Sequence, residues 1–243
     1  EASTRESFTD LLSLVRRDPS WRLVLTCREY SADLVRASFL QAAGIQHAVM
    51  SVQPLSDDEL SVVEAAYPLL ARPLAHPTLR RLLRIPYILD KAVQINWAEE
   101  RSLPESARDL RELFWRDIVR AAHRAASGMP QRREDALIEI ALRRARALSL
   151  YVVCTDLDAE VVASLRHDSL IVMSPSSNAL AAPAHDVLED WAILRWVDDQ
   201  YQLHEGAIQP FSTALGTYPA IRRTYRAWAT ELVARDVEMA GRL

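Results

Sequence analysis

The chain predicts a mainly α-helical protein with a small α/β remnant at its start, on three observations. Apolar residues recur at helical spacing through most of the 243 residues. Five glycines, 49% hydrophobic and 26% charged residues describe an ordered, helix-rich chain and count against long flexible loops or a β-sandwich. Two short apolar runs near the beginning, Trp21 to Cys27 and Ile45 to Val52, read as buried strands separated by a helix. A strand–helix–strand order of this length is what a parallel sheet needs. Nothing after Val52 continues the alternation, so the expectation is the end of a parallel α/β sheet.

The elements follow in order. Ser7 to Val15 places Phe8, Leu11, Leu12, Leu14 and Val15 at helical spacing, and Asp18-Pro19 closes it. Ser31 to Ala43 is a second amphipathic helix, with Gly44 as its C-terminal stop. Ser56-Asp57-Asp58-Glu59 spells a capping box, in which the serine accepts from the backbone and Glu59 reaches back. The helix it opens runs to about Ala66. Shorter helical pieces broken at Pro68, Pro73, Pro77 and Pro86 make a helical subdomain ending near Ala98, and Glu99 to Glu105, with Pro104, is the linker candidate. Helices are then expected at Ser106 to Ala126, Arg132 to Leu148 and Asp158 to Arg166. Leu170 to Ser174 and Ala179 to Ala182 flank Pro175-Ser176-Ser177-Asn178, a good hairpin turn. Three helices followed by a hairpin is the order of a winged helix. Asp186 to Val197 and Tyr218 to Val237 are further amphipathic helices. The division is therefore 1–54, the end of the α/β domain; 55–100, helical; 101–184, winged helix; 185–243, helical extension.

A net charge of −4 offers no general attraction to nucleic acid or to anionic membranes. No apolar stretch approaches the roughly 20 residues that span a bilayer. Cys27 and Cys154, the only cysteines, read as buried free thiols, which suits a reducing cytoplasm. The chain starts at Glu1 with no signal-peptide pattern, so it is expected to begin inside a longer gene product.

Three residues stand out chemically. Arg28 ends an apolar strand, the edge at which α/β folds bind ligands, and a guanidinium suits phosphate oxygens bidentately; a structural pairing with Glu29 or Asp33 is equally open. Pro86 stops a helical pattern, the punctuation that such prolines usually provide. His185 opens a helix with Asp186 beside it. There it serves the helix start, or it donates to an anion with a charge state that responds to the ligand. His47, His76, His123, His167 and His204 show no metal-ligand spacing. There is no G-x-S-x-G elbow and no Cys-His nucleophile arrangement. Asp190 and Trp191 read as packing residues.

With Leu25-Thr26-Cys27-Arg28, Arg84-Ile85-Pro86-Tyr87-Ile88-Leu89 and Ala184-His185-Asp186 in this order, residues 1 to 200 resemble the STAND class of P-loop ATPases. These are AAA+-related switch proteins that include the NACHT and NB-ARC groups and many bacterial regulators. The three segments look like the family's sensor-1 strand, its x-Pro-x-x-Leu element and its Met-His-Asp motif with the first residue changed. The resemblance implies that Arg28 senses the γ-phosphate, Pro86 packs near adenine and His185 holds the β-phosphate of ADP. It implies ATP/ADP with Mg²⁺ in a complete protein and none in this portion alone. Its partners would be other domains of the same longer chain, with homo-oligomer formation on activation. The departures are large: there is no G-x-x-x-x-G-K-[ST] and no Walker B strand, so the parts that catalyse phosphoryl transfer are missing. Two alternatives stand beside it, a winged-helix DNA-binding regulator and a purely structural protein-interaction module. The candidate recognition helix, Asp156 to Arg166, carries three acids against one base, a poor match to phosphates.

Overall fold

A computed structural model describes residues 2–18, 20–27, 32–33, 35–98, 102–121, 128–205 and 207–235. The chain divides into two compact units, 1–54 and 55–243.

The first unit opens with α1 (Ala2–Arg17), whose last turn carries Arg16 and Arg17, the charge that suits a helix C-terminus. Leu12 is its buried residue, and Phe8 meets Phe39 edge to face at 5.1 Å. The expected second helix is present in part as a π-helical turn at Arg36–Gln41, and Gly44 (φ 66°) stops it in the left-handed conformation that glycine adopts freely. The two expected strands are a correction. Residues 21–27 and 45–52 form no strand and join no ladder, and Val24, Met50 and Val52 are more than four-fifths exposed. A parallel strand needs neighbours on its edges and cover on both faces, and the described residues of this unit supply neither. For the same reason Cys27 is exposed, not buried as expected; Cys154 is buried.

The second unit is mainly helical. α2 (Asp57–Ala66) starts in the complete capping box that Ser56 and Glu59 spell. A short 3₁₀ turn (Pro68–Leu70) leads to α3 (Ala71–Ala75), α4 (Pro77–Leu83) and α5 (Pro86–Ala92). Pro68, Pro77 and Pro86 each sit at a helix start, where the missing N–H costs nothing. α6 (Ala107–Phe114) has its own capping box, Ser106 with Asp109, and continues as a π-helical segment, Trp115–Val119. α7 (Met129–Ala147) follows, then β1 (Val152–Val153), α8 (Ala159–His167), β2 (Ile171–Ser174) and β3 (Ser177–Pro183). The three strands form one antiparallel sheet in the order β1-β3-β2, with Val152 opposite Ala181 and Val172 opposite Ala182. The hairpin turns tightly at Pro175-Ser176, inside the expected stretch. α9 (Asp186–Leu203), α10 (Ile208–Leu215) and α11 (Pro219–Arg235) complete the unit.

One continuous hydrophobic core runs from Leu60 to Leu232. Leu137, Ile140 and Ala141 of α7 are fully buried in it, and the π-helical segment after α6, α8, the sheet, α9 and α11 pack against that helix. The linker candidate takes part in it: Leu103 packs on the core, Pro104 is buried, and Arg72 donates to the Ala98 carbonyl at 2.5 Å. Among the described residues no helix is long and apolar enough to cross a membrane.

Candidate functional site

The sheet and α9 meet at His185. β3 runs into Pro183 and Ala184, and the Ala184 N–H donates to the Leu170 carbonyl, so the chain leaves the sheet at a fixed angle. His185 is then the N-cap of α9: its Nδ1 accepts from the Val187 N–H at 3.1 Å. An imidazole that accepts at Nδ1 carries its proton on Nε2 when neutral. Asp186 and Glu189 place negative charge in the first turn, the favourable end for it.

Beside His185 lies an open groove of about 310 Å³, lined by Arg144, Tyr151, Val172, Pro183 and Asp186 among others. Arg144 is the guanidinium in this lining, and it is engaged already. It donates to the buried carboxylate of Glu189 and lies 3.5 Å from Asp186 Oδ1. Within the lining itself one guanidinium, Arg144, stands beside one carboxylate, Asp186. A phosphate entering here would have to draw Arg144 from Glu189, or meet cations from outside this unit.

α5 does not line this groove but supplies the ring that stacks on His185. Pro86 is its exposed first residue, and Tyr87 follows, largely buried. The Tyr87 ring stacks on His185 with centroids 4.2 Å apart and planes 12° from parallel. Lys91, one turn along and the chain's single lysine, is 3% exposed, with Nζ 5.8 Å from the Tyr87 centroid and 3.2 Å from Asp90. Burial pushes the Tyr87 phenol above its ordinary pKa, with the Asp90 charge adding to the effect. Of the three sequence candidates, His185 takes part in this aromatic contact, and Pro86 is the residue that precedes its partner Tyr87. Arg28 lies outside the described residues, as does His123.

The other expectations fall as packing. Trp191 meets Phe114 edge to face at 5.1 Å, and Asp190 accepts from Arg223 of α11. The acids before and within α8 are committed to structure. Asp158 caps α8 by accepting from Glu160 and Val161 and pairs with Arg132. Asp156 takes both arms of Arg143 at 2.6 Å, which lowers its pKa to about 2. Among the described residues no group of His, Cys, Asp and Glu is arranged to hold a metal ion.

Tyr87 was not singled out by sequence. Its only signal was its place next to Pro86 in a motif read for the proline. No protein-family model matches this chain, and no curated protein does either.

Proposed function

We propose that the chain carries the later part of the nucleotide module of a STAND-class signalling switch: the end of the α/β domain, the small helical domain and the winged helix. In the complete protein Arg28 senses the γ-phosphate, Pro86 packs on adenine and His185 holds the β-phosphate of ADP. The chain alone performs no catalysis, because the phosphate loop and the Mg²⁺-binding carboxylates are not in its sequence. Exchange of ADP for ATP releases His185 and lets the winged helix rotate, and the freed domains assemble.

The observation that carries this reading is the Tyr87–His185 stack. Two segments picked separately from the sequence for one ligand, Arg84 to Leu89 and Ala184 to Asp186, meet there face to face. The order helix, helix, strand, helix, hairpin over residues 107–183 also agrees with a winged helix used as a packing module. The capped and ion-paired acids of α8 speak against its presenting a basic face to DNA. The interaction-module alternative has its own support in the exposed apolar side chains of Leu148, Leu150 and Val153 beside the sheet edge.

The test is bound nucleotide in a protein extended upstream by the rest of the nucleotide domain and purified without added ligand. Stoichiometric ADP, lost on His185→Ala, is the expected result. An empty, well-folded protein, or one whose ADP is indifferent to His185→Ala, turns the assignment to the interaction module.

A further inference from the structure

We propose that Tyr87 is the positioning residue of His185. Its ring fixes the plane of the imidazole and with it the direction in which Nε2–H donates to its acceptor. The nature of that acceptor rests on the nucleotide reading above; the positioning itself does not.

Three facts support it. The first is the geometry of the pair, parallel rings at 4.2 Å, which allows the imidazole little rotation without losing contact. The second is the N-cap. With Nδ1 accepting from Val187, the remaining ring nitrogen is the donor, and cap and stack together define where it points. The third is the Tyr87 hydroxyl, which is buried and has no hydrogen-bond partner among the described residues. Leaving a buried hydroxyl unpaired costs stability, so the hydroxyl is not what holds this side chain in place. The faces of the ring are, through His185 and the Lys91 ammonium near it.

The stack also has a mechanical consequence. Tyr87 follows Pro86 on α5, and His185 opens α9. Any rotation of the helices of 55–98 away from the sheet parts the two rings, frees the imidazole and unsets the donor in one event. The neighbour of Pro86 and His185 are thereby coupled by a single contact.

The experiment is nitrogen-15 and proton NMR of the histidine rings in the 243-residue chain, with His185 assigned through His185→Gln. In the unmutated protein His185 is expected as the Nε2–H tautomer, its ring protons displaced upfield by the Tyr87 ring current. Tyr87→Phe retains both signatures, since it keeps the ring and discards the hydroxyl. Tyr87→Leu loses the displacement and mixes the tautomers. An unmutated His185 that resonates like a solvent-exposed histidine overturns the proposal even if Tyr87→Leu fails to fold. So does a His185 unmoved by Tyr87→Leu in an otherwise unchanged spectrum. In the upstream-extended protein titrated with Mg-ADP, Tyr87→Leu should weaken binding by about three- to tenfold, the range of one aromatic pair, and Tyr87→Phe should not. Absence of ADP binding in the unmutated extended protein would sink the nucleotide reading while leaving the NMR result to stand.

Discussion

Arg133 shows how much of this fold hangs on single side chains. It is 1% exposed in the middle of a charged-looking stretch of α7. Its Nε donates to the Val119 carbonyl at 2.7 Å, and Nη2 donates to the Ile118 carbonyl at 3.0 Å and to Asp168 at 2.8 Å. Nη1 reaches Ser164 of α8. Those two carbonyls end the π-helical segment after α6, where backbone acceptors have no partner of their own. One buried guanidinium therefore closes one helix from a second and ties in a third. Arg133→Ala removes the Arg133–Asp168 ion pair and the side-chain donors to both carbonyls, and should cost about 3–5 kcal/mol, the usual penalty for removing one member of a buried pair. Arg133→Lys should fall between, because an ammonium cannot fan out to four acceptors. Urea unfolding followed by tryptophan fluorescence measures both. A loss within error of zero for Arg133→Ala would mean that water replaces the guanidinium and the junction is softer than it looks.

At the scale of elements, legibility follows locality. The capping box of α2 was spelled in Ser56-Asp57-Asp58-Glu59, and its geometry is complete: the Ser56 N–H donates to Glu59 at 2.7 Å, and Glu59 N–H donates back to Ser56 Oγ. Ser56→Ala and, for the matching box of α6, Ser106→Ala should each destabilise by about 0.5–2 kcal/mol. Thermal melts of the two variants check this, and unchanged midpoints would show that α2 and α6 are held by packing alone. The prolines at helix starts and Gly44 were equally readable, since each acts on its own neighbours. What was not readable depends on distant partners. β1 is two residues long and exists because β3 runs beside it, so Val152-Val153 gave no pattern of its own. α10 was missed, and the runs at 21–27 and 45–52 were read as strands because a short apolar run looks the same whether or not a neighbour pairs with it. In the site, His185 and Pro86 were visible as motif residues. The role of Tyr87 was not, because a stack between α5 and the start of α9 leaves no spacing to read.

For the whole molecule the question is whether the helices of 55–98 are a domain of their own or part of a larger body. Sequence composition drew a boundary at 99–105. Within the second unit, however, Leu60, Leu70, Leu79 and Leu83 belong to the same core as Leu137, Val161 and Leu188. Leu103 and Pro104 are part of that continuity, so the linker candidate is held to the core at these two residues. A rotation of these helices would have to part the Tyr87–His185 rings and expose apolar surface now shared, and opening free energies track such burial. Amide hydrogen exchange should accordingly show α2 to α5 protected to a similar degree as α7 and α9. The amides of 22–27 and 46–52, in no helix or ladder, should exchange within the shortest labelling time. If α2 to α5 exchange together while α7 stays protected, the helical segment opens as an independent unit, and the shared core is too weak to hold it. If protection is uniform, a switch of the proposed kind cannot work by thermal loosening of this joint, and its ligand would have to do the parting by preferring the open arrangement.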